Sequence, residues 1–115
     1  MYKVSEFAEM TGLTKETLRY YAHVGLVEPA YIDPSNNYRY YDNHSFLLAK
    51  MLVKLRSFGF TIQEMKSVME DESFENLEAL LIKKQERIEE EMKQLGEKRD
   101  EIEAFLKEGR GEHVD

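Results

Sequence analysis

A mostly α-helical fold, with one small β-hairpin and a long terminal helix, is predicted by three features of the 115-residue chain. Short apolar stripes recur at helical spacing through residues 1–70, bounded by hydroxyl or carboxylate caps and by glycines. Two tyrosine-bearing runs flank the turn sequence DPSNN. From Ser73 to about Lys107 no proline occurs, and Leu81, Ile88, Leu95 and Ile102 recur every seven residues.

The elements follow in order. Residues 4–10, VSEFAEM, place apolar groups at helical spacing with Ser5 as candidate N-cap, and Thr11-Gly12-Leu13 breaks the helix. Thr14 caps a second helix over residues 15–24, stopped by Gly25. Two short helices joined by a tight glycine-containing turn form a helix-turn-helix unit. Tyr31-Ile32 and Tyr38 to Tyr41 favour strands, giving a two-stranded ribbon too thin for a core of its own. Strand alternation sets Tyr38 and Tyr40 on one side, Arg39 and Tyr41 on the other.

Asp42 caps a helix through roughly Ser57, with Phe46, Leu47, Met51, Leu52 and Leu55 as its apolar stripe and Gly59 as its end. Thr61-Ile62-Gln63-Glu64 fits a capping box, opening a helix to about Glu70 that buries Ile62, Met65, Val68 and Met69. Beyond it, Gln85, Met92, Arg99 and Leu106 each lie four residues after one of the heptad positions, which makes a seam. Some 35 residues at ~1.5 Å each give a rod of roughly 50 Å, too long for one small domain to cover. The simplest partner is a second copy, antiparallel or parallel, meeting at Leu81, Ile88, Met92, Leu95, Ile102 and Leu106. Gln85, Arg99 and Gly96 weaken that seam. The organisation expected is a domain over residues 1–70, a dimerisation helix over 73–108 and a flexible tail over 109–115.

Composition narrows the function. With no cysteine, disulfides, thiolate metal sites and thiol redox sensing are excluded for these residues. No apolar run suits a secretion signal or a membrane span, so a soluble, cytoplasmic protein without a membrane partner is expected. Net charge is −7, yet residues 1–70 carry eight Lys/Arg against eight Asp/Glu, and the whole excess lies in residues 71–115. All seven tyrosines occur at or before residue 41. A neutral first part binds a polyanion when its cations share one face, because binding follows the local field.

The candidate contacts cluster accordingly. Arg19, Tyr20 and Tyr21 stand together in the second helix, where a guanidinium fork and phenolic hydroxyls suit phosphate oxygens. Thr14, Lys15 and Thr17 open that helix, the part of a recognition helix that reaches base edges. Arg39 projects from the hairpin beside Tyr38, and Arg56 ends a helical stripe. Taken singly, each has an ordinary alternative: a core tyrosine, a solvated cation, a snorkelling arginine, a cap. Catalysis finds no constellation. His23, His44 and His113 lack ligand spacing, the glutamates at 89–91 read as a solvated face, and no nucleotide or metalloprotease motif occurs. No cofactor or metal is expected.

TGLTKETLRYYAHVGLVEP, YRYYD and KLRSFGFTIQEMKSVM resemble the winged helix-turn-helix domain of the MerR family of bacterial transcriptional regulators, from about Tyr2 to Glu70. The run DPSNNYRYY is similar to the wing of the multidrug-sensing branch, and residues 73–107 correspond to the family's antiparallel dimerisation helix. The resemblance implies a homodimer with two recognition helices in successive major grooves of double-stranded promoter DNA. It assigns phosphate contacts to Arg19, Tyr20 and Tyr21, wing contacts to Tyr38 and Arg39, and a further basic contact to Arg56. It also implies action on RNA polymerase indirectly, by bending and untwisting an over-long promoter spacer. No effector is assigned. The alternative from another class is a helical protein-interaction adaptor that uses the coiled coil without binding DNA.

Overall fold

A computed structural model describes residues 1–111. Its elements are β1 (Tyr2–Lys3), α1 (Val4–Thr11), α2 (Lys15–His23), β2 (Tyr31–Ile32), β3 (Arg39–Tyr41), α3 (Asn43–Ser57), α4 (Ile62–Glu70) and α5 (Phe74–Gly109). They divide into two units, Met1–Asn76 and a second that begins at Leu77.

Local chemistry sets most boundaries of the first unit. The Thr14 hydroxyl accepts from the Thr17 N–H at 3.0 Å and so starts α2. Asp42 Oδ1 accepts from the Ser45 N–H at 2.9 Å and starts α3. Thr61 and Glu64 form the expected reciprocal box, with the Glu64 N–H donating to Thr61 Oγ1 at 3.1 Å and the Thr61 N–H to Glu64 Oε1 at 3.0 Å. Between α1 and α2 the chain reverses at Gly12, whose φ of 76° is in the left-handed region and whose N–H donates to the Ala8 carbonyl at 2.9 Å.

The start of the chain differs from the sequence expectation. Ser5 is not the N-cap of α1; the helix begins at Val4, and Glu6 Oε1 accepts from the Lys3 N–H at 3.1 Å. The preceding residues form β1, which pairs antiparallel with β3 through Tyr2↔Tyr41 and Lys3↔Tyr40. The hairpin is therefore part of a three-stranded sheet of order β1-β3-β2, and not a free two-stranded ribbon.

The core of this unit lies where β3 and the inner helix faces converge. Phe7 and Tyr41 stack at 4.3 Å between ring centroids and 8° between planes, with Phe46 meeting Phe7 edge-on at 6.5 Å. Leu18, Tyr21, Leu52 and Met65 are buried around them. Leu47 departs from its predicted place in the α3 stripe and is 66% exposed, while Ser45 and Ala49 take inward positions. Ile62 and Met69 are only half-buried; Met65 and Val68 are the α4 side chains that enter the core.

Helix α5, which forms the second unit from Leu77 onward, runs 36 residues and buries none of its side chains. Met92, Leu95 and Ile102 are each more than 60% exposed. Of the tail expected over residues 109–115, residues 109–111 are described. Gly109 still belongs to α5, and Arg110 and Gly111 close a turn through N–H bonds to the Leu106 and Glu108 carbonyls. Residues 112–115 lie outside the described residues.

The Asp42 cap gives a pH signature. Its hydrogen bonds from Ser45 hold the carboxyl below the usual value of 3.8, so its contribution is complete above that value and is lost as pH falls through the depressed native one. Asp42→Asn keeps a capping oxygen and removes the titration. Its stability at pH 7 is expected to match the parent, with a shallower loss below about pH 4, read from urea midpoints across pH.

Candidate nucleic-acid interface

Helix α2 organises the surface. Side chains advance about 100° per residue, so Leu18 and Tyr21 share the inward face and Lys15, Glu16, Arg19, Tyr20 and His23 fan over the outward arc. Thr14 and Thr17 sit at its start and engage one another, the Thr14 hydroxyl donating to Thr17 Oγ1 at 2.9 Å.

The wing is held rigidly enough to place its side chains. The Asp33 N–H donates to the Tyr38 carbonyl at 2.9 Å, and the Asn37 N–H to the Asp33 carbonyl at 2.7 Å. Asp33 Oδ1 accepts from both the Ser35 hydroxyl and its N–H, which holds the Asp33 carboxyl below its usual pKa. The Tyr38 N–H donates to Asn36 Oδ1 at 2.9 Å, and Asn37 adopts a φ of 60° at the tip. Tyr38 stands just before β3 and is 61% exposed; Arg39 is half-buried at the strand's first position.

Two clefts flank α2. The first, of about 520 Å³, lies between α2 and the wing and is lined by Lys3, Val4, Ser5, Lys15, Arg19, Asn37, Tyr38 and Arg39. Four cations converge there and no carboxylate lines it. None of the four is in an ion pair among the described residues. Four like charges in one notch leave a strong positive potential that a chain of phosphates relieves. The second cleft, of about 490 Å³, lies on the other side of α2, where Thr14, Glu16, Thr17, Tyr20 and Tyr21 meet Arg56, Phe60, Thr61, Ile62 and Met65.

The residues named from sequence thus divide. Lys15, Arg19, Tyr38 and Arg39 share the first cleft; Thr14, Thr17, Tyr20, Tyr21 and Arg56 share the second. Tyr21 follows Leu18 inward, is 1% exposed, and has a buried hydroxyl without a hydrogen-bond partner, which matches the core-tyrosine alternative. The residue that sequence reasoning missed is Lys3. Its place depends on β1 pairing with β3, and a two-residue strand carries no periodicity from which to read it. Among the described residues no group of three His, Cys, Asp or Glu side chains is placed to hold a metal ion. His113 lies outside them. No helix among them is long and apolar enough to cross a membrane.

On α5, Ile88, Met92, Leu95, Ile102 and Leu106 are exposed and Leu81 is half-buried. Phe105, 76% exposed, adds apolar surface next to Leu106 that the heptad reading omitted. Along the same helix Arg87 and Glu91 pair at 3.4 Å and Arg99 pairs with Asp100 at 3.2 Å, both fully in solvent and of little energetic weight.

Fold and clefts together define a winged helix-turn-helix protein with a basic notch between recognition helix and wing. Residues 2–72 match the MerR HTH family regulatory proteins, and the chain belongs to that family. It is 30% identical over 91 residues to the multidrug-efflux transporter 1 regulator of Bacillus subtilis (strain 168), covering 79% of this chain and 32% of that protein. Among solved structures it is similar to the EcmrR–DNA complex in EcmrR-RPo, with a TM-score of 0.77 and 28% identity over 97% of this chain and 41% of that one. MtaN, the N-terminus of the Bacillus subtilis multidrug transporter activator, shares the fold with a TM-score of 0.82, at 23% identity over 92% of this chain and 98% of that one. The chain spans less than half the length of the curated relatives it matches first.

The orphan hydroxyls of Tyr21 and Tyr41 are testable. Burial raises the Tyr41 pKa, opposed by the nearby Arg39 side chain. A buried donor without a partner costs ~1–3 kcal/mol, so Tyr21→Phe and Tyr41→Phe are each expected to unfold at equal or higher urea concentration. A loss above ~1 kcal/mol in either variant would reveal a partner for that hydroxyl.

Proposed function

We propose that the protein is a sequence-specific, DNA-binding transcriptional regulator that acts as a homodimer on a promoter. The observation that carries this is the wing-side notch, where Lys3, Lys15, Arg19 and Arg39 converge without a carboxylate in a chain whose net charge is −7. In this reading α2 enters the major groove with Thr14, Lys15 and Thr17 leading. Arg19 and Tyr20 hold phosphates beside it, Tyr38 and Arg39 take backbone from the wing, and Arg56 adds a cation from the far cleft. Tyr21 serves packing. Family membership and the regulator names of the relatives support this over a protein-interaction adaptor. We assign no catalytic role and place the protein in the bacterial cytoplasm.

Homodimerisation uses α5, paired antiparallel along Leu81, Ile88, Met92, Leu95, Ile102 and Leu106, which gives the exposed apolar stripe a cover. Two linked recognition helices then act on RNA polymerase indirectly, by distorting promoter spacer DNA. Smooth bending of a 20–30 bp site by 40–90° costs on the order of 1–6 kcal/mol, which sets the scale of the switch.

Salt dependence tests the phosphate assignments. Arg19→Ala and Arg39→Ala are each expected to lower the log–log slope of affinity against salt by about 0.9, across all duplex sequences. Unchanged slopes in both variants would refute these contacts. For the dimer, Leu95→Asp or Ile102→Asp is expected to yield monomers in sedimentation, with operator binding reduced by at least ~100-fold because two half-sites are no longer linked. Intact dimers in both variants would exclude the seam.

A further inference from the structure

The outward arc of α2 carries two residues that the phosphate-binding reading does not use, Glu16 and His23. Glu16 is its only carboxylate, set among Lys15, Arg19, Tyr20 and His23. A first-turn carboxylate favours the helix dipole, which would suffice if Glu16 were merely structural. Its surroundings say more. Glu16 is exposed and forms no ion pair among the described residues, although Arg56 lines the same cleft. It also lies on the side of α2 away from the four-cation notch, so it is kept apart from the site that would bind phosphate.

A carboxylate in a DNA groove has one favourable use. It is repelled by phosphate and accepts without donating, so it needs a base-edge donor. In the major groove those donors are the cytosine N4 and adenine N6 amino groups. Adenine sets the N7 acceptor beside N6, which repels the second carboxylate oxygen; cytosine has no acceptor of its own beside N4. We infer that Glu16 is a specificity-determining residue, accepting a hydrogen bond from one cytosine amino group in each operator half-site. The inference rests on the DNA-binding reading above. It also explains the free carboxylate: a permanent partner such as Arg56 would remove the acceptor that reads the base.

The test is selection of a random-sequence duplex library at fixed salt by the full chain and by its Glu16→Gln and Arg39→Ala variants. Wild type is expected to enrich sites with cytosine at one position per half-site, and replacing that base is expected to weaken binding about tenfold or more. Glutamine pairs with adenine through N6 and N7, so Glu16→Gln is expected to change the preference at that position alone from cytosine to adenine. Arg39→Ala is expected to weaken all selected sites alike. Thermal melts of Glu16→Gln matching wild type keep the comparison one of contacts and not of folding. Identical preferences in wild type and Glu16→Gln would overturn the inference and leave the DNA-binding reading standing. No enrichment by wild type would overturn both.

Discussion

Burial of Leu18 and Tyr21 on the inner face of α2 is the constraint on which the rest of the surface depends. A helix locked by two core side chains three residues apart cannot rotate without exposing one of them, at ~1.5–3 kcal/mol for a large apolar group. That lock fixes which residues look outward, and the Thr14 cap fixes where the arc begins. Lys15 and Arg19 then face the wing, and Glu16 and Tyr20 face the opposite cleft. The same core holds the wing, because Tyr41 stacks on Phe7 while Arg39, two residues earlier, remains at the notch. Packing and site are two faces of the same few residues.

Charge is partitioned in the same economical way. The acidic excess belongs to residues 71–115, most of which lie in α5, whose polar faces it keeps solvated. The first 70 residues are neutral in sum but uneven in space, with four of their eight cations in one notch. An isoelectric point near 5.0 is thus no argument against a polyanionic partner. What decides is the local field, and in the notch it is positive.

The sequence was most legible where structure is made by neighbours. Thr14, Asp42 and Thr61 act within three residues, and each caps the helix assigned to it. The seven-residue period of α5 could be read directly because nothing tertiary interrupts it. Legibility failed where a partner distant in sequence decides the outcome. Tyr2 and Lys3 become a strand only because Tyr40 and Tyr41 lie opposite them. With Lys3 in that strand, α1 starts at Val4 and Ser5 is left inside it. Leu47 looked like core by type, but the rotation of α3 gives the inward places to Ser45 and Ala49. Tyr21, two residues beyond Arg19 and about 200° further around the helix, turns into the core.

In the function proposed here, the wing-side notch and the outward arc of α2 form the surface that meets DNA. Amide chemical-shift mapping of the isotope-labelled protein, titrated with a promoter duplex, tests this most directly. The largest perturbations are expected at Lys3, Lys15, Glu16, Arg19, Tyr38 and Arg39, growing together and reversed by added salt. Perturbations centred on the exposed side of α3, around Leu47 and Lys50, with the notch unmoved, would contradict it.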